Sequence, residues 1–137
     1  MRETMMLGPL TKEGNITLFI RPRYHVPGAH HIDDLVRYGI FIVEQAIKKI
    51  KADKLDPRLA CIYDRTGMTN QNKDGQILKM SIRMATLLQD FYCERLGDFY
   101  VIGSNTAFWI AHKIIKPFLA KKTRDKIKLV NKNTELL

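Results

Sequence analysis

The sequence contains little cysteine and no long apolar run. Its 137 residues include two cysteines, Cys61 and Cys93, which are too few for a disulfide framework and favour reduced thiols in the cytoplasm. No apolar run approaches the roughly 18 residues of a membrane-spanning helix, and the first residues lack the apolar segment of a signal peptide. The chain length and an apolar content of 45% instead predict one soluble globular domain.

The common catalytic motifs are also absent. There is no Gly-x-Ser-x-Gly elbow, Walker loop, dinucleotide-binding glycine pattern or His-Glu-x-x-His sequence. The turn at 64–67 lacks the glycines and the lysine of a phosphate loop. His30-His31 and Asp33-Asp34 are adjacent in sequence and are not spaced to converge on one ion. We therefore predict no catalytic residues, no metal site and no cofactor.

Basic residues are concentrated in the C-terminal part of the chain. The formal net charge is +9, and eight basic residues stand against one acid between positions 113 and 132. They are Lys113, Lys116, Lys121, Lys122, Arg124, Lys126, Lys128 and Lys132. Such a cluster favours an anionic partner, although a merely solvated basic face has the same composition. Because no nucleic-acid-binding motif is present, we predict an anionic membrane surface as the partner and no nucleic acid.

Hydrophobic periodicity predicts alternating strands and helices after residue 14. Residues 1–14 show no sustained period and contain Gly8-Pro9, so we predict a loose lead-in there and a single domain over 15–137. Strands are predicted at 16–20, 59–64, 99–102 and 127–130, with helices beginning near Asp33 and Asp74. This alternation predicts an α/β fold with a largely parallel β-sheet flanked by helices.

Residues 107–118 form an amphipathic segment. One arc of the helical wheel holds Ala107, Phe108, Ile110, Ala111, Ile114, Ile115 and Phe118, and the opposite arc holds Trp109, His112, Lys113 and Lys116. Such a helix fits either a packed core or a water–lipid boundary. A tryptophan between cationic side chains suits the boundary. Pro117 is predicted to end or kink the helix near Lys116.

Spaced motifs in this region resemble those of the CRAL-TRIO lipid-binding family, which includes phosphatidylinositol/phosphatidylcholine transfer proteins. The matching runs are Phe-Tyr-Cys-Glu-Arg-Leu-Gly at 91–97, Lys-Pro-Phe-Leu at 116–119 and Thr-Arg-Asp-Lys-Ile at 123–127. Residues 64–69 are similar to the family's pocket loop. Cys93 replaces a usual proline, and residues 103–106 replace the usual Asn-Ala-Pro.

The resemblance implies an amphipathic gate helix over an apolar pocket, and it implies specific site residues. Glu94 and Lys116 match residues that help form an inositol-phosphate site, Thr69 matches a serine that helps hold a phosphatidylcholine phosphate, and Arg95 adjoins Glu94. The gate and pocket residues are Phe108, Trp109, Ile110, Ala111, Ile114, Ile115 and Phe118, and the membrane-facing basic residues are Lys113, Lys121, Lys122 and Arg124. Glu94 and Arg95 also fit an exposed ion pair or a helix end, and Lys116 also fits the basic surface.

The resemblance further implies non-enzymatic binding and transfer of a phosphatidylinositol-like phospholipid, or of another small hydrophobic ligand, between membranes. The bound lipid would take the place of a cofactor, in a cytoplasmic protein that associates reversibly with membranes. The helical lobe that precedes this domain in relatives is not seen, so the chain is expected to be a minimal or shortened version. One alternative is a membrane-recruitment or protein-interaction module without lipid transfer, and another is a nucleotide-binding α/β enzyme.

Overall fold

The structure is a computed structural model that describes residues 3–68, 75–92, 94–103 and 106–130, without the side chains of 75–78, 106–108, 111, 129 and 130. The described elements, in chain order, are β1 (Met5–Leu10), β2 (Ile16–Ile20), a 3-10 turn (Pro22–Tyr24), α1 (Ile32–Asp53), β3 (Leu59–Asp64), α2 (Gly75–Phe91), β4 (Leu96–Ile102), α3 (Thr106–Ile115), a second 3-10 turn (Lys116–Phe118), α4 (Lys121–Arg124) and β5 (Ile127–Val130).

The five strands form one sheet in the order β1-β2-β3-β4-β5. Strand β1 is antiparallel to β2, and every other neighbouring pair is parallel. The carboxyl ends of β2 to β5 therefore lie at the same edge of the sheet, and the segment that follows each strand begins there. This mixed, largely parallel sheet with helices confirms the predicted α/β class.

Helix α1 covers one face of the sheet. His31 precedes the helix, and its Nδ1 accepts a hydrogen bond from the Asp33 amide at 3.2 Å. Asp33 and Asp34 lie in the first turn, as predicted, where a carboxylate interacts favourably with the helix dipole. The buried side of α1 packs against β2 and β3 in a core that contains Ile16, Val43, Ala46, Ile47, Ile50 and Leu59.

The prediction of a loose lead-in over residues 1–14 is wrong for strand β1. Its backbone pairs with β2, although the register shifts between Leu7 and Leu10 at the Gly8-Pro9 sequence. The Thr17 hydroxyl, which is fully buried, donates a hydrogen bond to the Pro9 carbonyl at 2.6 Å. Tertiary contacts therefore hold a strand whose own sequence lacks a strand period.

Helix α3 ends close to the predicted position. It gives way to the 3-10 turn at Lys116, one residue before Pro117, because proline has no N–H to continue the helical hydrogen bonds. Strand β4 begins three residues earlier than predicted, at Leu96, and its pairing with β3 is irregular between Leu59 and Cys61. Strands β2, β3 and β5 have the predicted bounds.

Candidate lipid- and membrane-binding site

An exposed apolar row runs along α3 and the turn that follows it. Ile110, Ile114 and Phe118 are spaced four residues apart, which places them on one side of a helix, and they are 58%, 46% and 50% exposed. We call these three residues the apolar stripe. Trp109, the only tryptophan in the chain, lies beside the stripe and is also exposed. The stripe consists of large apolar side chains that this fold leaves in contact with solvent.

The exposure of the stripe argues against one of the two interpretations of the helical wheel, that of a helix packed into the core. A helix packed into a core would bury Ile110 and Ile114, and the structure does not bury them. Ile115 is partly buried. The side chains of Phe108 and Ala111, which were also assigned to the gate, lie outside the described residues.

Exposed lysines lie on α3, on the turn after it and on α4. Within the described residues, Lys113, Lys116 and Lys121 are exposed and form no ion pair with a carboxylate. Lys122 is exposed as well, but its ammonium group lies 2.6 Å from a Glu94 carboxylate oxygen. Arg124 is partly buried. The segment from Trp109 to Lys121 therefore presents both large apolar side chains and cationic side chains to solvent.

Among the described head-group candidates, Glu94 and Arg95 have their polar contacts with other parts of the chain. Glu94 pairs with Lys122 and not with Lys116, and that pair is exposed to solvent. Hydrogen bonding from Lys122 holds the pKa of the Glu94 carboxyl below its usual value. Arg95 donates a hydrogen bond to the Pro57 carbonyl at 3.2 Å, which directs it towards the α1–β3 connection. Thr69 lies outside the described residues.

Lys116 lies close to His112 and does not pair with Glu94. Burial lowers the pKa of His112, and the nearby Lys116 charge lowers it further. The Trp109 and His112 rings meet edge to face, with centroids 5.8 Å apart. The imidazole is thus favoured in its neutral form on a helix surface that already carries Lys113 and Lys116.

The carboxyl edge of the sheet contains an arginine cluster that was not among the residues predicted from the sequence. Arg23 forms an ion pair with Asp64 at 3.0 Å and, with Arg21, lies against the Tyr24 ring at 4.9 Å. Burial works to raise the pKa of Asp64, but hydrogen bonds from Thr66 and Arg23 together lower it. The short run Arg-Pro-Arg-Tyr at 21–24 was the signal available in the sequence.

The turn after β3 does not resemble a phosphate loop. The Asp64 carboxylate accepts the Thr66 amide hydrogen at 2.9 Å, so a protein carboxylate already uses the N–H that a phosphate would need. A pocket of about 190 Å³ lies near the same edge, lined by Glu3, Thr4, Tyr24, His25, Val26, Ala29, His30 and Leu35. It is separate from the apolar stripe.

Metal binding and membrane spanning were considered for the described residues as possible further properties of the chain. No cluster of three or more His, Cys, Asp or Glu side chains in the described part of the chain could hold a metal ion. None of the helices described for this chain combines the length and apolar character needed to span a bilayer.

The fold agrees with comparisons to known proteins. Residues 3–137 match the model of the CRAL/TRIO domain family, and the chain therefore belongs to this family. It is 24% identical over 107 residues to the phosphatidylinositol transfer protein Sfh5 of Saccharomyces cerevisiae, and 35% identical over 60 residues to a CRAL-TRIO domain-containing protein of Schizosaccharomyces pombe. The crystal structure of Sfh5 superposes with a TM-score of 0.77 at 21% identity, over 93% of this chain.

This chain is much shorter than those relatives. The sequence alignments span 77% of the chain and 36% of budding-yeast Sfh5, and 44% of the chain and 6% of the fission-yeast protein. The structural match covers 47% of the Sfh5 chain in its crystal structure. The comparisons thus establish the family and the fold.

Proposed function

We propose that this chain is a non-enzymatic lipid-binding module that takes up a phosphatidylinositol-like phospholipid and transfers it between membranes. The observation that carries the proposal is the exposure of the apolar stripe together with exposed lysines in the same segment of the chain. Family membership and the phosphatidylinositol transfer protein among the relatives support it. On this proposal the protein is cytoplasmic and associates reversibly with anionic membranes.

The energetics of the α3 surface fit reversible attachment. Each lysine near an anionic bilayer contributes about 1 kcal/mol, so Lys113, Lys116 and Lys121 together contribute about 3 kcal/mol. Inserting the half-exposed stripe into the interface adds a further hydrophobic contribution. The sum supports a weak, salt-sensitive association from which a carrier can dissociate after exchanging its ligand.

Apolar side chains on α3 also suit a carrier whose ligand comes from a bilayer. Acyl chains that move from a bilayer into a protein leave one apolar environment for another, so the exchange is favourable only if the path excludes water. An apolar row that docks on the membrane would provide that exclusion. Head-group recognition then requires charged groups, for which Glu94 and Lys116 are the proposed residues.

A vesicle-to-vesicle transfer assay tests the proposal directly. Labelled phosphatidylinositol and phosphatidylcholine are offered in donor vesicles, and we expect transfer of phosphatidylinositol to acceptor vesicles. We expect Glu94→Ala and Lys116→Ala to lower phosphatidylinositol uptake more than phosphatidylcholine uptake. Equal losses for the two lipids would overturn the head-group assignment, and no uptake of any lipid by folded protein would overturn the carrier function.

A membrane-recruitment module without lipid transfer is the second candidate. The exposed pairing of Glu94 with Lys122 favours it, because this carboxylate is occupied by Lys122 and not by Lys116. Native mass spectrometry distinguishes the candidates. A co-purified phospholipid supports the carrier, whereas ligand-free protein that binds anionic vesicles supports recruitment.

A further inference from the structure

One glutamine side chain bridges the backbone between the turn after α3 and helix α4. The Leu119 amide closes the 3-10 turn by donating to the Lys116 carbonyl, and the Ala120 carbonyl accepts the first hydrogen bonds of α4. Gln89 of α2 donates from Nε2 to the Phe118 carbonyl at 2.9 Å, and its Oε1 accepts the Ala120 amide hydrogen at 2.6 Å.

The two hydrogen bonds are what a primary amide is suited to provide. A glutamine carries one acceptor oxygen and an N–H donor about as far apart as the C=O and N–H of a peptide group, so it can pair with a chain as a strand would. The Phe118 carbonyl belongs to the last residue of the 3-10 turn, and the Ala120 amide belongs to the residue just before α4. Gln89 thus satisfies a donor and an acceptor that neither the turn nor α4 satisfies.

Part of helix α3, on the N-terminal side of this bridge, is exposed to solvent. Helix α3 packs against α2 and its own following turn, and Trp109, Ile110, Lys113 and Ile114 are exposed. The Lys122–Glu94 ion pair is a second connection to the end of α2, but both side chains are largely exposed and solvent screens them. The Gln89 bridge is more directional than this ion pair, because it consists of two hydrogen bonds to the backbone.

We propose that Gln89 is the positioning residue that fixes the C-terminal pivot of α3. The bridge holds residues 118–120 on α2 while the exposed part of α3 changes position at a membrane. The proposal rests on the proposed function to the extent that α3 must respond to a bilayer.

Amide hydrogen exchange measures this pivot without reference to lipid transfer. In the full chain we compare Gln89→Ala with the wild type and with Gln45→Ala, which removes the same side chain from a partly buried site on α1. We expect the Ala120 amide to exchange at least tenfold faster in Gln89→Ala and at the wild-type rate in Gln45→Ala. Unchanged Ala120 exchange in a folded Gln89→Ala protein would overturn the proposal.

The Gln89→Glu variant distinguishes the contributions of the two hydrogen bonds of the bridge. At neutral pH the carboxylate still accepts the Ala120 amide hydrogen but cannot donate to the Phe118 carbonyl. We therefore expect Ala120 to remain protected in Gln89→Glu, which a general loss of packing at this position would not allow. Equal exchange rates in the Glu and Ala variants would overturn the assignment of the acceptor bond.

Vesicles of phosphatidylcholine and phosphatidylserine test the pivot in its proposed setting. We expect the exchange of amides 109–115 to change at least threefold when vesicles are added, while Ala120 keeps its protection in the wild type. Loss of protection at Ala120 together with α3, or no change in α3 at all, would overturn the pivot. If α3 responds as expected but the wild type moves no lipid in the transfer assay, the carrier function fails and the pivot stands.

Discussion

Glu94 illustrates how much of a site depends on contacts distant in sequence. Its backbone is in the left-handed region, with φ of 68°, and its carboxylate is paired with Lys122, 28 residues further along the chain. The family resemblance assigned Glu94 to a head-group site, but nothing in the local sequence indicates that Lys122 reaches it. An anionic surface that attracts Lys122 would compete for the same ammonium group.

We predict that Lys122→Ala raises the pKa of Glu94 towards its ordinary value, because the hydrogen bond and charge of Lys122 are what lower it. A lowered carboxyl pKa means that the pairing is present above the ordinary pKa and is lost as the pH falls through the folded-state value. A carboxyl ¹³C NMR titration measures this. The exposed neighbour Lys121 provides the control variant, Lys121→Ala, and equal titrations of Glu94 in both variants would contradict the pairing.

A second residue-scale prediction concerns Gly8 in β1. The Phe19 ring of β2 lies over this glycine, and a Cβ placed there would come within 2.3 Å of a ring carbon. We expect Gly8→Ala to lower the free energy of unfolding by about 1–3 kcal/mol, as overpacking of a close contact does. Urea denaturation measures the loss. Replacing Phe19 by Leu in the same background should recover part of it, and a change below about 0.5 kcal/mol would contradict the contact.

At the scale of elements, the sequence predicted an element correctly where the interactions that form it act between residues close together in the chain. Strand β3 was predicted with its correct bounds because it is a nearly continuous apolar run that ends at Asp64, with polar turns on either side. The end of α3 was predicted because proline acts within one helical turn. Strand β1 was missed because its stability comes from pairing with β2 and from the Thr17–Pro9 hydrogen bond, and neither is visible in residues 5–10 alone.

We predict that Phe118→Ser weakens binding to anionic vesicles while leaving stability almost unchanged. Removing a half-exposed phenyl ring that inserts into the interface costs about 1 kcal/mol of binding, or roughly a fivefold loss of affinity. Phe41 on α1 is exposed to nearly the same extent, 52% against 50%, so Phe41→Ser is a matched control. Vesicle sedimentation and the fluorescence of Trp109 report binding. Equal losses of vesicle affinity in the two variants would contradict a membrane contact through the stripe.

For the whole molecule, strand–helix alternation was sufficient to predict a largely parallel sheet, but it was not sufficient to assemble a site. Residues from the ends of different elements come together only once the strand order is known. Arg23 and Asp64 meet because β2 and β3 are neighbours and parallel, and the sequence analysis did not connect them. The family resemblance supplied candidate residues, and the structure showed that Glu94 and Lys116 do not pair.

The net charge of +9 leads to a prediction for the molecule as a whole. Raising the salt concentration from about 0.1 M to about 1 M shortens the screening length from about 10 Å to about 3 Å. We therefore expect binding to phosphatidylserine-containing vesicles to fall at least tenfold, while binding through the apolar stripe alone would strengthen or stay constant. Sedimentation with neutral phosphatidylcholine vesicles is the control. Salt-independent binding to both vesicle types would contradict an electrostatic contribution.

The burial of Cys61 in the central strand β3 has a practical consequence. Burial raises the pKa of this thiol to about 12, so only about one molecule in 10⁵ carries the thiolate at pH 7. Alkylating reagents attack thiolates, and a folded molecule also shields the sulfur sterically. Iodoacetamide should therefore modify Cys61 only when local unfolding separates β3 from its neighbouring strands. The rate at which mass spectrometry detects the labelled peptide then measures how often the sheet opens.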